Sequence, residues 1–222
     1  LSSERNSARL FEKILDAAQD ITHADGGTLY LLKEKAGHHV LEFEILRNNS
    51  LNLTLGGSSG RKIPFAPLPL YREDGSPNHN NIATYTALTK KMENIEDAYY
   101  AEHLDFSGTK AFDARANYRS KSFLTVPLCN HLNEVIGVLQ LVNAKDKNTG
   151  QTISFSHNLE PIVAALASSA AIALENQILL QGGANNGLRS GDTLALYQLV
   201  VQGSETDYDK HQVRLVNRNA AI

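Results

Sequence analysis

Apolar and polar positions along the chain follow two periods. Leu10, Ile14, Ala17 and Ile21 recur at helical spacing and predict an amphipathic helix over about residues 4–22. Asp25-Gly26-Gly27 is expected to stop it. Thr28–Leu32 reads as a strand, Lys33–His38 as a turn around Gly37, and Val40–Arg47, with period two, as a half-exposed strand paired back as a hairpin. Asn48–Gly60 reads as a loop. Arg61–Pro64 reads as a short edge strand or turn, since proline gives no donor to a central ladder. Asn80–Lys91 predicts a short helix with Ile82, Tyr85, Thr86 and Leu88 on its apolar side, and a loop then runs from Asn94 to Arg119. Ser122–Leu128 and Glu134–Asn143 predict two strands, apolar on both faces, with Gln140 as a polar interruption. Asp146–Gln151 is a loop. Asn158–Gln181 predicts a long helix striped by Leu159, Ile162, Val163, Leu166, Ala170, Leu174 and Ile178. Gly182-Gly183 is expected to end it.

This order predicts an α+β fold: a mainly antiparallel sheet with the N- and C-terminal helices on one face and a loop or helix lid on the other. Cover on both sides explains central strands that are greasy on both faces. Residues 1–181 are read as one domain. Residues 182–222 are a segment of uncertain structure, the start of another domain or an interrupted region, with strand-like stretches at Thr193–Val201 and Gln212–Val216.

Composition narrows the classes. The chain has 222 residues and a formal net charge of −3, with no Lys/Arg stripe to serve as a nucleic-acid footprint. No apolar run is read as reaching the roughly 18 residues of a membrane span, and the polar start Leu1–Arg5 does not read as a signal peptide. A single cysteine, Cys129, excludes an internal disulfide and suits a reducing cytoplasm. The missing initial Met suggests an excerpt of a longer protein.

Three stretches are distinctive together. The first is Arg61-Lys62-Ile63-Pro64 with Asn81-Ile82-Ala83 and Asn94-Ile95-Glu96-Asp97-Ala98-Tyr99. The second is Phe112-Asp113, Tyr118–Ser122 and Thr125–Leu128, and the third is Glu134–Asn143. Over about residues 5–180 they resemble the GAF domain, a small sensory fold of cyclic-nucleotide phosphodiesterases, bacterial cyclases, histidine kinases and phosphohydrolases. Of the family signature Asn-Lys…Phe-x3-Asp-Glu, Asn143, Phe155 and Glu160 match. Ala144 and Leu159 stand where the family's internal ion pair would be, and Lys145 is one position along.

The resemblance implies a ligand lying over the sheet beneath the middle helix and loop. Its site would involve Ile82, Ala83, Asp113, Ala116, Ser120 and Gln140, and cAMP or cGMP are candidate ligands. Alternatively, Gln140 bonds a loop carbonyl or ordered water. The resemblance also implies a homodimer through the terminal helices, which Ala167, Ala170, Ala171 and Ala173 would let approach closely, and an attached output domain. Rival readings are the regulatory part of a signalling phosphodiesterase or metal-dependent phosphohydrolase catalysing elsewhere, and a ligand-free dimerisation scaffold.

Other patterns carry less. Gly56-Gly57-Ser58-Ser59-Gly60 matches G-x-S-x-G but lacks the strand–turn–helix setting of a nucleophile elbow. Eight histidines include no H-E-x-x-H. Cys129-Asn130-His131 is not the adjacent Cys-His of bilin-binding relatives. Glu42 and Glu44 read as a solvated face. No catalytic constellation or metal site is expected.

Overall fold

The computed structural model describes residues 2–185; the strand-like stretches expected further on lie outside them. Helix α1 spans Ser2–Thr22. Its buried stripe is Phe11, Ile14, Leu15, Ala18 and Thr22, while Ile21 is 37% exposed. The stripe is therefore turned about one position from the expected one. The apolar arc is wide, and spacing alone does not say which part of it meets the sheet.

The helix stops at His23, whose φ is 54°, and strand β1 (Ala24–Lys35) begins at once. Asp25-Gly26-Gly27 is thus strand, not a stop. A Cβ on Gly27 would lie 2.6 Å from Leu15 Cδ1, so the bare backbone lets α1 settle on the sheet. β1 folds back into β2 (His38–Asn48), which carries one extra residue, Glu44, where the register shifts between Leu29 and Tyr30.

β3 (Leu53–Gly56) and β4 (Leu68–Pro69) pair with the outer side of β2. β3 lies in a stretch read as loop, because four residues give too little alternation to register. Arg61–Pro64 is irregular. Helix α2 (Ile82–Thr89) is capped by Asn81, whose side-chain oxygen accepts the Ala83 N–H at 2.8 Å.

β5 (Glu93–Ile95) and helix α3 (Ser107–Ala116) both interrupt the stretch read as one continuous loop. α3 buries only Asp113 fully, so no apolar stripe marks it. β6 (Phe123–Cys129), β7 (Val135–Lys145) and β8 (Thr152–Ile153) follow, then helix α4 (Glu160–Asn185). α4 continues through Gly182-Gly183. Glycine costs a helix about 1 kcal/mol relative to alanine, which weakens the helix without terminating it.

The sheet order is β3-β2-β1-β7-β6-β5, with antiparallel neighbours throughout. One face carries Leu29, Ile45, Leu124, Leu139 and Leu141, packed with Leu15 and Ala18 of α1 and Val163, Ala167, Ala171 and Leu174 of α4. Burying each large side chain there stabilises the fold by about 1.5–3 kcal/mol. On the other face Tyr30, Leu41 and Val138 meet Ala83 and Ala87 of α2, and Phe123 meets Ile82, Ile95 and Phe106. This is the expected α+β layering, with a helix-and-loop roof opposite the terminal helices.

The α4 alanines Ala167, Ala170 and Ala171 belong to this same core, so they seat α4 on its own sheet. The helix over His157–Leu179 has a mean hydropathy of 1.5 and is long and apolar enough for a membrane span by length and composition, contrary to the sequence reading. Its Val163–Leu174 side is core, while Ile162 and Ile172 on the other side are 49% and 58% exposed.

Candidate functional site

Alternation along the three central strands turns Thr28 and Tyr30 of β1, Val138, Gln140 and Val142 of β7, and Phe123 and Thr125 of β6 toward the roof. Register sets Thr28, Gln140 and Thr125 side by side. The result is a polar row crossing an apolar floor.

Thr28 and Thr125 are buried. Gln140 is half-buried, and its amide has no hydrogen-bond partner among the described residues. β7 has a strand on each side over this stretch, and its helix-side neighbours Leu139 and Leu141 are fully buried. The exposure of Gln140 and Val142 therefore comes through the roof layer.

One more hydroxyl completes this layer. Thr86 sits on the buried side of α2, and both Thr86 Oγ1 and Thr125 Oγ1 are buried without a hydrogen-bond partner among the described residues. Burial pushes the Tyr30 phenol upward, and the Thr28 hydroxyl beside it offsets part of that.

The roof is held by two hydrogen-bonded locks. In the first, Asp113 Oδ2 accepts the Tyr99 hydroxyl at 2.9 Å and the Ser120 N–H at 2.7 Å, while Oδ1 accepts the Ser120 hydroxyl at 2.8 Å. Arg119 pairs with Asp97 at 2.9 Å and lies over the Tyr99 ring, 4.5 Å from its centroid. In the second, Asn143 Oδ1 accepts the N–H groups of Lys121 and Ser122, and its Nδ2 donates to Tyr118 Oη and the Arg119 carbonyl. Tyr118 in turn donates to Asp25, whose other oxygen accepts from Ser50 N–H and Oγ.

A run of rings, Tyr30–Phe43–Phe65–Phe112, spaced 4.7, 5.6 and 6.4 Å, links the floor to α3. Phe43 and Phe65 also wall an open cleft of about 280 Å³ between the outer edge of β2 and the Arg61–Pro67 segment. A second cleft, of about 500 Å³, lies between the end of α1, the start of β1 and Lys145.

Each residue singled out by sequence can now be placed. Ile82 and Ala83 are 4% and 0% exposed and face the sheet, as Gln140 faces the roof. Asp113 and Ser120 come together, bonded to each other. Ala116 ends α3 and is half-buried. Neither cleft is lined by any of the six.

Sequence reasoning missed Thr28, Thr86 and Thr125 and the aromatic run. Thr125 carried a readable signal, a hydroxyl within a strand apolar on both faces.

In the signature positions, Ala144 is buried, Leu159 is half-buried, and Lys145 Nζ lies 3.0 Å from Thr152 Oγ1. Glu160 instead accepts from Asn94 Nδ2 at 2.8 Å, tying α4 to β5. Ser58 of the G-x-S-x-G stretch sits in a tight turn and donates from N and Oγ to Glu12. Among the described residues no three His, Cys, Asp or Glu side chains converge.

The family model described as GAF domain matches residues 6–174. The chain is 30% identical over 139 residues to a cGMP-specific 3',5'-cyclic phosphodiesterase of Drosophila virilis, covering 60% of this chain but 14% of that enzyme. It spans about a tenth of the length of the corresponding enzyme of Drosophila sechellia, at 28% identity. In structure it is similar to the blue-light absorbing form of the Thermosynechococcus elongatus PixJ GAF domain, with TM-score 0.54, 14% identity, and 84% and 95% of the two chains covered. A GAF domain/HD domain protein from Geobacter sulfurreducens gives TM-score 0.53 at 14% identity, covering 80% and 97%.

Proposed function

The chain belongs to the GAF domain family, and from that premise we propose that it is a non-catalytic sensory module of a cytoplasmic signalling protein. A small ligand, with cAMP and cGMP as first candidates, binds between the central sheet and the α2/α3 roof. The observation that carries this reading is Gln140 in the middle of the sheet, half-exposed and with no side-chain partner among the described residues. An amide in an otherwise apolar floor needs partners, and here water or a guest reaches it through the roof.

In this reading Ile82, Ala83 and Gln140 contact the guest. Asp113, Ser120 and Ala116 belong to the segment that closes over it. The Asp113 and Asn143 locks make that segment a body with defined contacts that a ligand can favour or oppose. A ligand shifts the output only by its difference in affinity between two arrangements. α1 and α4, on the opposite face, relay the shift to an attached output domain. The exposed Ile162 and Ile172 of α4 support a homodimer through this helix.

Isothermal titration with cAMP, cGMP, guanosine and adenosine tests the reading. Heat of binding that is lost in Gln140→Leu is expected. Absence of heat with all four overturns it and favours a ligand-free dimerisation scaffold.

A second reading rests on the matched relatives being cyclic-nucleotide phosphodiesterases. The chain would then be the regulatory portion of such an enzyme, with catalysis in chain beyond these residues. Phosphodiesterase assays of the full-length gene product decide it.

A further inference from the structure

β3 pairs with β2 over Ile45–Asn48 and β4 pairs with it over Val40–Leu41, so Glu42–Glu44 between them have no strand on their outer side. The chain from Arg61 to Pro67 crosses that gap without closing it. Its start is held by the Gly56 N–H, which donates to the Arg61 carbonyl at 2.8 Å, and its end runs into β4. Pro64 and Pro67 have no N–H to offer the edge of β2. The open cleft of about 280 Å³ is what remains between them. Its apolar wall is Phe43 and Phe65, with Ile63 and Pro67 beside them. Phe65 is 37% exposed and Phe43 half-buried, so neither ring is used up in the core. The charged groups of the cleft do not cancel. Glu42 is paired with Lys33 and Lys35, and Glu44 with Lys33. Arg61 and Lys62 also line the cleft, and their exposed side chains have no hydrogen bond or ion pair among the described residues.

We propose that this cleft is a second ligand site, at the outer edge of the sheet, and that it takes a small planar organic acid. The flat body of the acid lies against Phe43 and Phe65, and its carboxylate meets Arg61 and Lys62. A guanidinium binds a carboxylate through two parallel N–H bonds, and an aromatic wall suits a flat body. A cation would face Arg61, Lys62 and Lys35 with both nearby carboxylates already paired. Pockets for drug-sized molecules begin at about 300 Å³, so this cleft fits a body of one ring or two fused rings. The site is separate from the space under the roof, and none of the residues placed there lines it. Phe65 also lies 6.4 Å from Phe112 of α3, so a ligand on Phe65 stands one ring contact from the roof.

Amide NMR titration of the full chain with benzoate and indole-3-acetate tests this, with the neutral amides benzamide and indole-3-acetamide in parallel. Saturable shifts are expected at Glu42–Glu44 and Lys62–Ala66 with at least one acid, and at least tenfold weaker binding of its amide. The double variant Arg61→Gln, Lys62→Gln should weaken the acid at least tenfold and leave the melting temperature unchanged, because both side chains are exposed and unpaired. Four results each overturn the proposal: no saturable shift with either acid, equal binding of acid and amide, shifts centred on Gln140 instead of the cleft, or unchanged affinity in the double variant. The nucleotide titrations above are decided independently of all four.

Discussion

Tyr118 donates its phenolic proton to Asp25 at 2.6 Å, joining positions 93 residues apart in the chain. The same oxygen accepts from Asn143 Nδ2 at 2.8 Å. One hydroxyl therefore fastens the trailing end of the roof to the first and last of the long strands. Tyr118→Phe should leave one Asp25 oxygen without its donor and lower stability by about 1–3 kcal/mol. Urea unfolding measures it. An unchanged midpoint contradicts the assigned role.

Asp113→Asn keeps the shape and turns one acceptor into a donor, facing either Ser120 or Tyr99. Loss of hydrogen bonds to a charged group should cost about 1.5–3 kcal/mol. The effect should be local as well as global. Limited proteolysis is expected to cut between Tyr99 and Arg119 faster than in wild type, while the rest of the chain keeps its protection.

Two glycines of the sheet separate side-chain from backbone crowding. A Cβ on Gly137 would meet the Tyr30 carbonyl oxygen at 2.4 Å, whereas one on Gly27 would meet the Leu15 Cδ1 methyl at 2.6 Å. A methyl can swing aside and a ladder carbonyl cannot. Both alanine variants should lose about 1–3 kcal/mol, with Gly137→Ala the more costly in a parallel denaturation series.

Glu160 predicts a pH effect. Its carboxyl is held below the ordinary 4.5, first by the Asn94 hydrogen bond and then by His157. The folded state therefore favours the ionised form. The stabilisation is present above the ordinary value and is lost as pH falls through the depressed one. Asn94→Ala should flatten the acid limb of melting temperature plotted against pH. An identical limb in the variant rejects the linkage.

Ile162 and Ile172 present apolar surface on the outer side of α4. If that side meets a second copy, Ile172→Lys should lower the sedimentation-derived mass toward the monomer and leave the circular dichroism spectrum unchanged.

Most of the layering was legible because it rests on period and burial. The Val40–Arg47 alternation required a strand with one face toward solvent, the two doubly greasy strands a sheet covered on both sides, and the α4 stripe a helix laid along one of those faces. Boundaries and short elements were not legible. β3 and β5 are too brief to show a period, and α3 exposes most of its surface.

The placement of the candidate residues was legible in part. Gln140 stood out because a lone amide among Val, Leu and Ile is costly unless it has a purpose. Asp113 and Ser120 were expected to line the ligand site, and sequence does not reveal that they bond each other. Thr86 was placed on the apolar side of its helix and Thr125 in a strand, but neither read as a site residue, because threonine suits a strand and is tolerated in a helix.

The outermost strands are brief. β3 has four residues and β5 three, and beyond the reach of β5 the exposed side of β6 carries Pro127, which has no N–H. An incoming chain finds almost no continuous row of backbone groups to copy. Crowding or partial unfolding should therefore seed cross-β fibres poorly from the native sheet, and growth of amyloid, followed by thioflavin fluorescence, should lag until the hairpin of β1 and β2 is torn open.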